Sequence, residues 1–426
     1  MLNNLMALNQ VMRDVKLSRP ELEKIIRKRL KKVIISAFRY VPHYREMMKR
    51  LGYDPIRNYR GTDDILNFPI TTKEELKQKS IAAFIKEGSN ISNCNVDSTS
   101  GSTGIPLRVY RSSSERALQI ARWLRVLFLN GYSARDRVLS FTSPERMEEG
   151  RSILQKFGIF RRLPINYQLS PKEFVNALLA YKPNVVYGTR SCLDLASLEL
   201  KKRGIKLKGI KLLLAAGEFV YESSRCNCRE QFGVDIIESY GTVEMGLMGY
   251  ETPHRDGIHL TEDLTYFEFL DKDGLPVQEG KPGRIVVTDL TNKIMPFIRY
   301  DQGDFGIFKE VKDSNGQMIR RLERIIGRED DFVVLPDGSK RIFNRFMNVM
   351  DRYTHIQQFR VIQKTIDHFQ IQVVADLTYL ANISSDLLIR LKDDWPPEVS
   401  FKIVPVERIE ADPGGKIRIL ISELEQ

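Results

Sequence analysis

Cysteine is scarce in this chain: 4 residues in 426, at positions 94, 192, 226 and 228. Four thiols without an even framework do not suggest a disulfide scaffold. They fit a reducing compartment, and cytosol is the expected setting. Long apolar runs are missing as well. VIISAF at 33–38 is far shorter than the ~20 residues that cross a bilayer, and basic residues flank it. The opening MLNNLMALNQVMRDVK lacks the charged start and apolar centre of a secretory signal. Only 5 histidines occur, and none pairs convincingly with a serine or cysteine and an acid. No GxSxG or SxxK pattern stands in a useful context, so covalent catalysis through serine is not expected. There is no GxxxxGK[ST] loop and no internal repeat.

Charge is present, and it is uneven. The net charge is +11, yet residues 1–60 alone hold 15 Lys/Arg against 5 Asp/Glu. The remainder is close to neutral, which argues against a nucleic-acid groove along the whole protein. Pro20 and Glu21 open a helical pattern in which Leu22, Ile25, Ile26, Leu30, Val33, Ile34 and Ala37 recur on one face. Lys24, Arg27, Lys28, Lys31 and Lys32 fill the other face. Two readings follow: a surface helix docked by its apolar stripe, or a helix that also touches anionic lipid at the inner membrane face.

From about residue 90 the pattern is α/β. RVLSFT, PNVVYGT, IKLLLAAGE and VDIIESYGT are short apolar runs, separated by helical stretches such as PKEFVNALLAY and RSCLDLASLELKKRG. This alternation predicts a parallel sheet covered by helices, with functional loops at the strand C-termini. From about 257 the chain becomes strand-rich, in TYFEFLD, GRIVVTDL and FGIFKEV. After Gly327 a smaller α+β unit is expected, ending in a last strand, SFKIVPV, and a tail. The resulting division is a large domain over 1–327, with a basic helical region at 1–60, and a small domain over 328–426.

The stretch STSGSTGIP at 98–106 is nearly all Ser, Thr and Gly. Such a backbone can turn its N–H groups inward, and the hydroxyls add donors, which makes a phosphate cradle with little charge. A flexible linker is the other reading. Further along come ESYGTVE (238–244), IRYDQGD (298–304), IIGREDD (325–331) and PGGK (413–416). In this order the series resembles the adenylate-forming superfamily of acyl-CoA synthetases, adenylation domains and luciferases. AFRYVPHYREMMKRLGYDP and DILNFPITTKEEL resemble the phenylacetate–CoA ligase group and its relatives in capsular polysaccharide biosynthesis. So does the block HRDGIHLTEDLTYFEFLD followed by GRIVVTDLTNKIMPFIRYDQGDFG.

The resemblance implies a large α/β domain with parallel-sheet layers and a β-rich subdomain, followed by a small mobile α+β domain. It implies ATP and Mg²⁺ as cofactors. Thr99, Ser100, Gly101, Ser102, Thr103 and Gly104 would cradle the phosphates. Gly217, Glu218, Ser239, Tyr240 and Gly241 would line the adenine pocket. Glu244 would hold Mg²⁺, Asp304 and Arg328 would meet the ribose, and Asp330 would mark the hinge. Lys416 would reach the carboxylate and the α-phosphate, so Lys416, Glu244 and Thr103 form the expected catalytic set.

Both reactants are anionic, and such a step needs cations and aligned donors where charge builds up. The acyl acceptor implied is coenzyme A. A sugar amine or hydroxyl in surface-polysaccharide assembly is the alternative, and a degenerate nucleotide-binding protein is a third reading. Two positions depart from the usual pattern: Ile105, where lysine is common, and Val243, where a hydroxyl is common. Read singly, Glu244 also fits a helix-start acid, Asp304 a turn former and Lys416 a solvated lysine. Cys226, Cys228, His254 and His259 invite a zinc reading, which the C-x-C spacing and Glu251 in ETPH disfavour. Arg190 is expected either to pair with an anionic acid substrate or to cap a helix.

Overall fold

The apolar stripe that begins after Pro20 folds as helix Arg19–Tyr40, which buries Ile26, Leu30, Val33, Ile34 and Ala37. Ser18 and Glu21 form a capping box at its start. The stripe packs with Tyr44, Met48, Ile65, Phe68, Leu290 and Ile298, while Lys24, Arg27, Lys28, Lys31 and Lys32 are exposed. This is the docked arrangement. A computed structural model of the chain describes residues 2–99, 106–144, 147, 153–313, 316–328, 332–342, 344–350, 352–353, 355–393, 395–410 and 417–424.

The chain forms two compact units. One comprises Met1–Asn130 and Ser239–Ile326, the other Gly131–Glu238 and Gly327–Gln426. In the first, helix Ser113–Leu129 carries Arg122 and Arg125 into the interior, where they pair with Asp289 and Asp263. Its strands are antiparallel. Thr265–Leu270 pairs with Pro282–Asp289, which pairs with Tyr300–Lys312. Ile258–Leu260 pairs with Met318–Arg328 on one side and with Gly246–Tyr250 on the other. A separate two-stranded ladder joins Asn95–Ser98 to Arg108–Arg111.

The second unit holds the parallel sheet that the βα alternation predicts. Leu212–Ala216, Val185–Gly188, Arg137–Thr142 and Arg161–Asn166 lie in that order, all parallel. Three of these are the apolar runs read from the sequence. The fourth, RRLPIN, was hidden by two arginines and a proline, which an edge strand tolerates. VDIIESYGT does not extend the parallel set as expected in its later residues. It forms Ile236–Thr242, and residues 239–242 pair antiparallel with Gly246–Tyr250.

The rest of this unit is a four-stranded sheet in which hairpin Gln358–Thr365 and His368–Val374 is flanked by two parallel strands, Leu420–Ser422 and Ser400–Pro405. Phe346, Phe369, Trp395 and Phe401 interlock beneath it. SFKIVPV is therefore not the last strand. Leu420–Ser422 is too short to stand out as a periodic pattern.

Candidate active site

In the first unit, Thr99 and Leu107 form a closed neck. The Thr99 amide donates to Leu107 O at 3.0 Å, and the Leu107 amide donates to Thr99 Oγ1 at 2.9 Å. The Thr99 hydroxyl thus already accepts one hydrogen bond. Below the neck, Arg111 is 1% exposed and donates to Asp97 Oδ2 at 2.6 Å. Its other amino nitrogen donates to the carbonyls of Val243 and Glu244, both at 2.7 Å. One buried guanidinium therefore ties the stem of the loop to the turn that carries Glu244.

The IRYDQGD segment reaches the same place. The Tyr300 hydroxyl donates to Glu244 Oε1 at 2.9 Å. Burial first, and then the Glu244 charge, push the Tyr300 phenol well above its usual range, so it stays a proton donor. The Tyr240 hydroxyl donates to Asp304 Oδ2 at 2.8 Å and receives the Gln302 side-chain amide. Tyr240, Tyr300, Met245, Leu107 and Val109 belong to one apolar cluster, which fixes these hydroxyls in place. Thr242 Oγ1 accepts the Met245 amide at 3.2 Å, while Val243 packs against that cluster. The turn's capping hydroxyl thus comes from Thr242, and Val243 contributes apolar contact.

The motifs quoted from distant parts of the sequence meet at IRYDQGD. The Tyr44 hydroxyl of VPHY donates to Pro296 O and accepts the Ile298 amide. Thr71 of FPITT exchanges backbone hydrogen bonds with Arg299 and Asp301. Arg299 takes a left-handed φ of 46° and sends its guanidinium to Glu268 and to the carbonyls of Leu66 and Phe68.

In the second unit, parallel register brings the ends of two neighbouring strands together, Gly188 beside Ala215. Gly217, at φ 77°, turns the chain so that Glu218 meets the start of helix Arg190–Lys202. The Ser191 amide and hydroxyl both donate to the Glu218 carboxylate, at 2.7 and 3.0 Å. The Ile417 amide donates to the same carboxylate at 3.0 Å. An anion at a helix N-terminus is favoured by the unpaired amides there.

Arg190 does not cap the helix. Thr189 caps the helix. The Arg190 guanidinium is buried, pairs with Asp194 and lies 4.6 Å from the centroid of the Tyr221 ring. Burial holds the Asp194 carboxyl up, to about 6, against the pull of Arg190. The charge of Arg190 is therefore already matched inside the protein.

Residues 333–423 match the CapK C-terminal domain family. A phenylacetate-coenzyme A ligase of Thermus thermophilus is 26% identical over 416 residues, 93% of this chain and 87% of that relative. A crystal structure of 2-hydroxyisobutyryl-CoA ligase, in the postadenylation state with R3-HIB-AMP, is similar with a TM-score of 0.81. Its identity is 20%, and the match covers 96% of this chain and 90% of that one. The same ligase with 2-HIB-AMP and CoA, in the thioesterification state, gives a TM-score of 0.65 at 20% identity, covering 96% and 91%. The chain thus has the fold of the CoA ligases and is similar in sequence to phenylacetate-coenzyme A ligases.

In this chain, Thr99, Ser239, Tyr240, Gly241, Glu244 and Asp304 lie in the first unit, and Gly217 and Glu218 in the second. Ser100, Gly101, Ser102, Thr103, Gly104, Ile105, Asp330 and Lys416 lie outside the described residues. Arg328 is placed only by its backbone, as the last residue of Met318–Arg328. Gly241 has a structural reason to be glycine: a Cβ there would stand 2.4 Å from Gly246 O.

Cys226 and Cys228 lie on helix Glu222–Phe232, two residues apart, so their side chains diverge. Cys228 is buried in the apolar core, and its thiol is pushed up by that burial. His259 Nε2 lies 3.0 Å from Asp256.

Glu244 suits a hard divalent cation. Tyr300 occupies Oε1, and Oε2 has no donor or cation among the described residues. Sequence reasoning gave no role to Tyr300, Arg111, Asp97 or Ser191. Tyr300 lies inside a quoted motif, and Arg111 follows the Ser/Thr/Gly run by five residues. Nothing in one-dimensional spacing links them to Glu244.

Proposed function

We propose that this chain is an AMP-forming carboxylic acid ligase that passes the activated acyl group to coenzyme A. A substrate carboxylate oxygen attacks the α-phosphorus of ATP, and pyrophosphate leaves. The thiol sulfur of coenzyme A then attacks the acyl carbon, and AMP leaves. The observation that carries this reading is the paired placement of Asp304 under Tyr240 and of Glu244 under Tyr300 in one buried cluster. It brings two tyrosine-held carboxylates onto adjoining motifs, which supports reading one as a ribose acceptor and the other as a cation ligand. Relatives that make acyl-CoA, with structures holding acyl-AMP and CoA, support the same chemistry.

In this reading Glu244 holds Mg²⁺, a hard cation that takes oxygen ligands and neutralises phosphate charge. Asp304 and Arg328 meet the ribose, and residues 99–104 cradle the phosphates. Gly217, Glu218, Ser239, Tyr240 and Gly241 border the adenine. The segment 328–426 is the small domain that brings Lys416 to the reacting groups, with Asp330 at its hinge.

The test is ATP–pyrophosphate exchange across aryl, fatty, amino and hydroxy acids, with Lys416→Ala as control, followed by thioester formation with coenzyme A. Exchange with one acid, lost in the variant, and a thioester product are expected. An adenylate that coenzyme A does not discharge would redirect the second step to an amine or hydroxyl. Nucleotide binding without exchange for any acid would overturn the reading.

A further inference from the structure

We infer that Tyr300 is the positioning residue of the Glu244 carboxylate, holding Oε1 so that Oε2 alone is offered to the divalent cation. The inference rests on the reading of Glu244 given above and goes beyond it in assigning how that ligand is oriented.

Glu244 is anchored at both ends. Its carbonyl accepts from Arg111 Nη2, and its carboxylate accepts from the Tyr300 hydroxyl. Tyr300 is itself immobile. Its side chain is fully buried, Phe297 packs on its ring at 5.2 Å between centroids, and its backbone forms a bridge with Thr71. A glutamate side chain left to itself samples several rotamers, and each one lost on binding weakens the site. Here that freedom is removed before any cation arrives.

The hydroxyl also biases denticity. A carboxylate oxygen that already accepts an O–H hydrogen bond is the weaker metal donor of the pair, so coordination through the other oxygen is favoured. That suits Mg²⁺, which keeps octahedral geometry and several waters. It disfavours Ca²⁺, which readily takes both oxygens of a carboxylate. Partners of this kind, one bond removed from the ion, are worth about 10–100-fold in metal affinity when lost.

The experiment measures Mn²⁺ affinity directly, by the loss of the free-ion paramagnetic signal in the presence of a non-hydrolysable ATP analogue. The proteins are the full-length chain, Tyr300→Phe, Glu244→Gln and the double variant. Competition with Mg²⁺ and Ca²⁺ follows. Tyr300→Phe is expected to weaken Mn²⁺ binding about 10-fold and to narrow the preference for Mg²⁺ over Ca²⁺. In the Glu244→Gln background it should add nothing, because the two residues act as one unit.

Unchanged affinity in Tyr300→Phe, with weakened binding in Glu244→Gln, would overturn this inference alone. Unchanged affinity in both would remove the reading of Glu244 and the inference with it. Equal weakening by Tyr300→Phe in both backgrounds would mark a general structural defect and overturn it too. Should Tyr300→Phe fail to fold, Glu244→Asp decides the matter. It keeps the charge but withdraws the carboxylate from the hydroxyl, and the same loss is expected.

Discussion

The Ile417 amide donates to Glu218 Oε1, at 3.0 Å, and so joins residues 199 apart in the sequence. Ile417 follows Lys416 directly. The carboxylate that accepts this bond also accepts both donors of Ser191. Replacing Glu218 by alanine removes the acceptor of all three, and an unsatisfied buried donor costs roughly 1–3 kcal/mol. Glu218→Ala is therefore expected to raise hydrogen–deuterium exchange at Ile417 and Ser191 by about 10-fold or more. Exchange indistinguishable from the parent at both amides would contradict the anchoring role.

Asp304 is fixed by the Tyr240 hydroxyl. A hydrogen bond to a charged acceptor contributes about 1.5–3 kcal/mol. If Asp304 binds the ribose, Tyr240→Phe leaves the ring in the apolar cluster but removes one hydrogen bond that orients the carboxylate. The expected result is a rise of about 10-fold in KM for ATP with a smaller change in kcat, the pattern of lost ground-state binding. Steady-state kinetics in the exchange assay would show it.

His43 should make stability depend on pH. Its imidazole is buried beside Tyr44 and Phe84 and faces Lys79, Glu75, Arg50 and Glu46. Burial first, and then Lys79, push it down to about 4. Unfolded, it titrates near ~6.5. Between those values the unfolded chain binds a proton that the folded chain does not. Stability is thus full above about 6.5 and falls as pH drops toward 4, by roughly 2–3 kcal/mol at most. Urea midpoints should fall more steeply from pH 7 to 4.5 in the parent than in His43→Gln. Parallel curves would show that His43 contributes nothing.

Gly241→Ala should destabilise the first unit. The added methyl meets Gly246 O at 2.4 Å and Leu247 Cα at 3.0 Å, both backbone atoms that cannot rotate away. Overpacking of this kind costs about 1–3 kcal/mol. Urea denaturation is expected to show a loss in that range, together with weaker nucleotide binding, because Tyr240 and Glu244 flank the distorted hairpin. A variant of parental stability would mean that the hairpin opens at no cost.

Much of the architecture was written locally. The period of 3.6 in the 20–37 stretch set the helix and its buried face, because apolar side chains at that spacing lie on one side. The alternation of apolar runs with helical stretches set the parallel sheet of the second unit, since each run needs a helix to cover it. RRLPIN escaped because an edge strand need not be apolar. Leu420–Ser422 escaped because three residues carry no period.

The order of the motifs also carried the resemblance to the adenylate-forming superfamily, through Asp304 and Glu244 and the glycines around them. What the sequence by itself could not determine is which side chain holds which. Tyr300 on Glu244, Tyr240 on Asp304, Arg111 across Asp97 and residue 244, and Ser191 with Ile417 on Glu218 are all contacts between distant segments. Such pairings depend on strand register and on where a buried side chain can find a partner. Only the tertiary structure decides that, because a buried donor or acceptor is stable only where the fold brings its complement within about 3 Å.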